Sequence, residues 1–229
     1  MSSIAENIRT IQERIAAAAR RVDRDPASVR LVTVTKTVSQ ERIREAVAAG
    51  AMILGENRVQ EAREKIAGLG PIASWHLIGH LQTNKAKYAV ALFYLIHSVD
   101  GLELAREISR QAEKHGKVQD VLIEVNISGE TSKAGIGSGD AKGLIREAAK
   151  LGNIRVQGLM TIPPFAEDPE ASRPHFRMLR ELAQDISKEQ IPNVSMKELS
   201  MGMSGDFEVA VEEGSTLVRV GTSIFGKRG

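Results

Sequence analysis

The chain has 229 residues, 31 of them Lys or Arg against 29 Asp or Glu, giving a net charge of +2, and only 3% are aromatic. Signs are interleaved, as in Glu41-Arg42-Ile43-Arg44-Glu45. There is thus no basic stripe for nucleic acid and too few aromatic rings for base-stacking platforms. The absence of cysteine excludes a disulfide scaffold, a thiolate nucleophile, an iron–sulfur cluster and cysteine-ligated zinc.

Between Met1 and Asp25, charged residues such as Glu6, Arg9, Glu13, Arg14 and Arg20 break up the apolar ones, unlike the core of a signal peptide. The longest uncharged apolar run, Tyr88 to Val99, is too short to span a bilayer. The expectation is a cytoplasmic protein without a membrane segment.

The opening segment places Ile4, Ile8, Ile11 and Ile15 on one helical face, which predicts an N-terminal helix. After Pro26, the β-branched run Leu31-Val32-Thr33-Val34-Thr35 predicts a strand. Ser39 is then placed to cap a helix that carries Ile43, Ala46 and Val47 inward and stops at Gly50. Further strands are expected near 52–54, 74–78, 94–98, 119–126, 154–160, 194–200 and 216–220. A helix is expected over 101–115, with Asp100 and Glu103 at capping-box spacing. Another runs from about 140 to 151, with Gly152 as its C-cap, and a third over 175–188.

Eight strands separated by helix-length segments predict a single α/β domain over 1–229, a (β/α)8 TIM-type barrel with an extra N-terminal helix. A doubly wound open sheet is the alternative, and the continuous alternation favours closure. In such a barrel the reacting groups come from the C-terminal ends of the strands.

The first strand ends at Thr35-Lys36-Thr37. Lys36 reads either as a surface lysine closing a strand or as a Schiff-base lysine, whose amine is made neutral by partial desolvation. Strand seven runs into Ser200-Met201-Gly202-Met203-Ser204-Gly205, and strand eight into Arg219-Val220-Gly221-Thr222-Ser223. Both segments combine glycines, which admit an anion to backbone amides, with hydroxyls that donate to phosphate oxygens. Ordinary barrel loops share that composition. A phosphate cradle beside a Schiff-base lysine suggests pyridoxal phosphate. Arg219 then suits a cofactor ring nitrogen kept unprotonated, which makes a weaker electron sink than an acidic partner would.

Three features are set aside. His76 and His80 lie four apart, but on a strand that separation is about 13 Å, too far for one metal. The run Gly135-Ile136-Gly137-Ser138-Gly139-Asp140 lacks the third glycine of a dinucleotide fingerprint and reads as a mobile lid. Glu212-Glu213 reads as solvated helix surface.

Several segments together resemble the pyridoxal phosphate homeostasis protein family, a small relative of the alanine racemase N-terminal barrel. They are Val34-Thr35-Lys36, Gly55-Glu56-Asn57-Arg58-Val59-Gln60-Glu61 and Trp75-His76-Leu77-Ile78-Gly79-His80-Leu81-Gln82-Thr83-Asn84-Lys85. Glu124-Val125-Asn126, Lys133-Ala134-Gly135 and Gly158-Leu159-Met160-Thr161-Ile162-Pro163 follow, and then the two C-terminal loops above.

The resemblance implies that Lys36 forms an internal aldimine with pyridoxal 5'-phosphate and that Asn57 lies near the ring or its 3-hydroxyl side. It implies that Ser200, Gly221 and Thr222 hold the phosphate, with Ser204 as a further contact, and that Arg219 faces the ring nitrogen. It implies a protein that binds and delivers the cofactor, with apo pyridoxal-phosphate enzymes as recipients, and that balances vitamin B6 and amino-acid pools without robust catalysis; the polar outer faces of the predicted helices give the separate expectation of a monomer. Racemisation needs a base on each face of the substrate, the second commonly a tyrosine. Here neither Tyr88 nor Tyr94 ends a predicted strand. A weak racemase or lyase is the alternative, and a cofactor-free aldolase or a bare interaction scaffold stand further off.

Overall fold

In the computed structural model, which describes residues 3–130 and 133–226, Ser3 begins the first helix with a reciprocal cap. Its hydroxyl accepts from the Glu6 N–H while the Glu6 carboxylate accepts from the Ser3 N–H. Helix α1 (Ile4–Arg21) buries the isoleucine stripe that the spacing predicts.

The barrel strands are β1 (Arg30–Val34), β2 (Ile53–Glu56), β3 (Ser74–Leu77), β4 (Leu95–Val99), β5 (Gln119–Asn126), β7 (Ile154–Met160), β8 (Val194–Ser200) and β9 (Leu217–Val220). All eight fall where the sequence predicts them. They pair in parallel in the order β1-β2-β3-β4-β5-β7-β8-β9, and β9 returns to β1, so the sheet closes into a (β/α)8 barrel. A two-residue strand, β6 (Ile136–Gly137), flanks the C-terminal end of β5.

Outside lie α2 (Gln40–Ala48), α3 (Val59–Leu69), α4 (Ala86–Leu92), α5 (Leu102–Lys114), α6 (Ser138–Ala148), α7 (Arg173–Lys188), α8 (Phe207–Glu212) and α9 (Thr222–Phe225). The last is a single turn, and α1 packs against α2, α8 and α9, filling the place in the outer ring that α9 is too short to cover.

The core has two parts. The larger joins the outward faces of the strands to the helices. A separate apolar cluster of Val32, Val34, Ile53, Ile78, Leu95, Leu122, Met160 and Leu217 fills the inside of the barrel. Among the described residues no helix is long and apolar enough to cross a membrane.

Four local expectations are corrected. Asp100 does not cap α5, whose N-cap is Gly101 without a side-chain bond; Asp100 instead approaches His80, with Nδ1 3.5 Å from its carboxylate. Helix α6 ends earlier than expected, because the Lys150 and Leu151 N–H groups bond three residues back and tighten the exit without Gly152. The Gly135–Asp140 run is a strand-to-helix junction rather than a lid: Val125 and Asn126 pair with Ile136 and Gly137, and α6 begins at Ser138. Glu212-Glu213 is no solvated surface. Glu213 is buried against Arg173, Arg177 and Arg180 from α7, and Glu212 pairs with Arg21 and Arg173. The α7 arginines thus lock α8 beside α7.

Candidate functional site

At the C-terminal ends of the strands opens a cavity of about 640 Å³. Six of the seven residues expected to touch a cofactor line it: Lys36, Asn57, Ser204, Arg219, Gly221 and Thr222. Its volume lies in the range of small-molecule sites. Ile78, Ile162, Pro164, Phe165 and Met203 supply apolar wall and rim.

Lys36 stands two residues beyond β1, half-buried, between two residues that are pinned from behind. Buried Lys65 on α3 donates to the Thr35 carbonyl at 2.5 Å, to Glu56 Oε1 at 2.7 Å and to Glu61 Oε1 at 2.6 Å. The Thr35 hydroxyl donates to the same Glu56 oxygen at 2.6 Å. On the other flank the Thr37 N–H donates to Glu61 Oε1 at 2.5 Å, and Thr37 adopts a left-handed φ of 62°. A non-glycine residue persists in that region only where its surroundings over-determine it, and here the Glu61 carboxylate does so. Burial pushes the Glu56 carboxyl up from its ordinary range, against the opposing pull of Lys65 and Thr35.

Asn57 follows directly on β2, and its Oδ1 is buried without a hydrogen-bond partner among the described residues. A Cβ at Gly79 would come within 2.5 Å of the Asn57 carbonyl oxygen, so only glycine lets the segment after β3 pass so close behind Asn57. The Ser98 hydroxyl donates to the Gly79 carbonyl at 2.7 Å and fixes that approach.

The two C-terminal loops meet at one edge of the cavity. Asp206 ties down the first loop by accepting from the Met203 N–H at 2.7 Å and from the Ser172 hydroxyl at 3.0 Å. The Gly221 N–H then reaches Ser204 Oγ at 3.4 Å, which brings the loops side by side. A Cβ on Gly221 would lie 3.1 Å from both the Cβ and the carbonyl oxygen of Val34, so glycine allows this loop to seat against β1.

Arg219 is 4% exposed and still lines the cavity. Nη1 donates to Ser200 Oγ at 2.6 Å and Nη2 to the Thr161 carbonyl at 3.0 Å. Burial lowers its pKa to about 10, opposed by the charges of Glu124 and Asp206, and it stays a cation at neutral pH. Ser200 is fully buried below Arg219 and is not part of the cavity lining. Its hydroxyl is held by Arg219 and, at 2.9 Å, by His97 Nδ1. Glu124, near Arg219, has one carboxylate oxygen buried without a partner among the described residues. Burial, and then Asp100, raise its pKa to about 7 against the pull of Arg219.

Sequence reasoning passed over Lys65, Glu56, Glu61, His97 and Glu124 as individual residues. A signal existed for some of them. Glu61 and Lys65 are four apart on one helix, the spacing of a helical ion pair. His97 lies two residues after Leu95 on a strand, which turns both to the inside of the barrel, although a register shift between Ile96 and Val99 puts Val99 on the outer face.

With this geometry in view, a family model described as alanine racemase, N-terminal domain, matches residues 1–229. A pyridoxal phosphate homeostasis protein of Aquifex aeolicus is 48% identical over 224 residues, 97% of each chain. The chain belongs to the pyridoxal phosphate homeostasis protein family. The solved structure of PipY of Synechococcus elongatus with PLP bound is 39% identical, with a TM-score of 0.82 over 94% of this chain and 100% of that one. An alanine racemase of Clostridium difficile shares the fold alone, with a TM-score of 0.72 at 14% identity; 57% of its length is covered.

Proposed function

We propose that this chain, as one barrel domain, binds pyridoxal 5'-phosphate with Lys36 as its covalent anchor. On this reading it serves vitamin B6 and amino-acid homeostasis in the cytoplasm rather than robust catalysis. The observation that carries the reading is the convergence of Lys36, Asn57, Arg219 and the Ser204–Gly221 edge on one cavity of about 640 Å³. The residues fit the group: the Asn57 Oδ1, without a partner among the described residues, can accept from a ring hydroxyl, and glycine at 221 lets its loop seat against β1 with its backbone lining the cavity beside Ser204. When bound, the cofactor supplies an aldehyde that a neutral lysine amine captures.

Each remaining role belongs to a residue of this chain. Ser204, Gly221 and Thr222 hold the phosphate, and Arg219 presents an N–H to the ring nitrogen. Ser200 holds Arg219 rather than the phosphate. The clamp of Lys65, Glu56 and Glu61 holds the backbone on both sides of Lys36.

The reading of a carrier rather than an efficient enzyme rests on the tyrosines. Neither Tyr88 nor Tyr94 lines the cavity; Tyr94 precedes β4 at the opposite end of the barrel, stacked on His76 at 5.9 Å. A second base for racemisation is therefore not supplied by tyrosine. Apo enzymes that use the cofactor are the recipients this reading names, and it takes the chain as a monomer.

The test is titration of the apoprotein with pyridoxal phosphate, followed by absorbance, beside an assay with L- and D-amino acids. Stoichiometric uptake with turnover far below ordinary enzyme rates is expected. A protein that takes up no cofactor contradicts the binding, and turnover at ordinary rates supports the racemase or lyase instead.

A further inference from the structure

Four buried side chains form a continuous line through the inside of the barrel. Arg219 Nη1 bonds Ser200 Oγ at 2.6 Å, Ser200 Oγ lies 2.9 Å from His97 Nδ1, and His97 Nε2 lies 3.0 Å from His76 Nδ1. Their exposures are 4%, 0%, 0% and 2% in that order. One end lines the cavity at the C-terminal ends of the strands. The other lines a second cavity, at the N-terminal end, where Tyr94 stacks on His76.

The proton positions along this line follow from one fact: a guanidinium only donates. Ser200 Oγ must therefore accept from Arg219. Among the described residues its only other hydrogen-bond partner is His97, so the hydroxyl proton points to His97 Nδ1. That nitrogen is then unprotonated, and the single proton of a neutral His97 sits on Nε2 and points to His76 Nδ1. His76 in turn carries its proton on Nε2. The opposite polarity would leave Ser200 accepting twice, with its own proton buried and unpaired, which is unfavourable. A protonated imidazole would place a second buried cation in line with Arg219.

We infer that His97, backed by His76, is a positioning residue for Arg219: a one-way relay of neutral histidines orients Ser200 so that it holds the guanidinium in place. The functional consequence rests on the proposal that Arg219 faces the ring nitrogen of pyridoxal phosphate. The relay itself does not, since it is complete in the chain alone. The charged groups acting on it are Arg219 at one end and Arg30 near the other. Both disfavour imidazolium, and burial does so more strongly.

The first arm of the test is a long-range ¹H–¹⁵N spectrum of the histidine-labelled apoprotein between pH 5.5 and 7.5. The relay predicts that His76 and His97 are both neutral, protonated on Nε2 alone, and unchanged across the range. A protonated His97 Nδ1, or a histidine of this pair titrating near its ordinary pKa, overturns it.

The second arm compares His97→Leu with His97→Asn, whose Oδ1 can accept from Ser200 in place of Nδ1. His97→Leu is expected to shift the absorbance of bound pyridoxal phosphate and to raise its Kd about tenfold, the equivalent of ~1.4 kcal/mol, and His97→Asn to restore most of both. A folded His97→Leu with wild-type absorbance and Kd overturns the positioning role. If wild-type protein takes up no cofactor, the binding proposal fails and the role toward the cofactor fails with it, while the apoprotein spectrum still decides the relay.

Discussion

Lys65 Nζ lies 2.7 Å from Glu56 Oε1, with the two side chains 8% and 0% exposed. A buried pair of this kind is costly to break from one side, because the remaining charge is left without compensation. Lys65 uses three donor contacts, one of them on the carbonyl of the residue before Lys36.

Lys65→Met is accordingly predicted to lower stability by about 3 kcal/mol at pH 7. The loss shrinks toward pH 5, where the stranded Glu56 takes up a proton instead of staying charged. Urea unfolding at the two pH values measures this. Equal losses at both would show that the pair contributes packing rather than charge. The double substitution Glu56→Gln with Lys65→Met should recover part of the loss.

Glu124 gives the pH dependence its upper limb. Its pKa is raised from 4.5 to about 7 by burial first and Asp100 second. A carboxyl raised in the folded state adds stability in full below about pH 4.5, and that stability is lost as pH rises through about 7. Glu124→Gln, which stays neutral, should match wild type at pH 5 and exceed it at pH 8 by up to about 3 kcal/mol. Parallel stability curves for the two proteins would contradict the assignment.

His76 gives the lower limb. Burial, with a smaller share from Arg30, depresses its pKa to about 3. The stability from keeping it neutral is whole above about pH 6.5 and is lost as pH falls toward 3. Between pH 6 and 4 the His76 contribution to the unfolding free energy should fall by about 1.4 kcal/mol per pH unit, while Glu124 contributes the opposite slope down to about pH 4.5. Urea midpoints across that range in Glu124→Gln, where the opposing slope is removed, test it, and a flat profile in that variant would mean that the His76 pKa is not depressed in the fold.

Gly221→Ala tests the anion edge. The added methyl meets Val34 at 3.1 Å from its Cβ and from its carbonyl oxygen, so the loop must shift by a few tenths of an ångström. Calorimetric titration with inorganic phosphate should show about tenfold weaker binding, or ~1.4 kcal/mol, in a protein whose circular dichroism is unchanged. Undiminished phosphate binding would place the anion elsewhere.

The fold was legible because its signals are local. Short β-branched runs at regular spacing marked all eight barrel strands, and the isoleucines of α1 marked their own buried face. Helix ends were less so: Asp100 had the right spacing for a cap, yet the chain turned at Gly101. Lys36 and the glycine loops could be placed at one mouth, because strand order alone sends strand ends there. The partners behind them could not. Lys65 meets Thr35 across 30 positions and His97 meets Ser200 across 103, and pairings at such separations are set by strand register, which composition does not encode. Glu212-Glu213 misled for the same reason, since the arginines that bury Glu213 lie a whole helix earlier.

Lys36 is the centre of the account, and borohydride trapping tests it most directly. Protein incubated with pyridoxal phosphate, reduced and digested should carry the pyridoxyl mass on the peptide that holds Lys36. Lys36→Ala should keep its circular dichroism and lose the adduct. An adduct spread over surface lysines, or one that persists in folded Lys36→Ala, would contradict the assignment of Lys36 as the anchor.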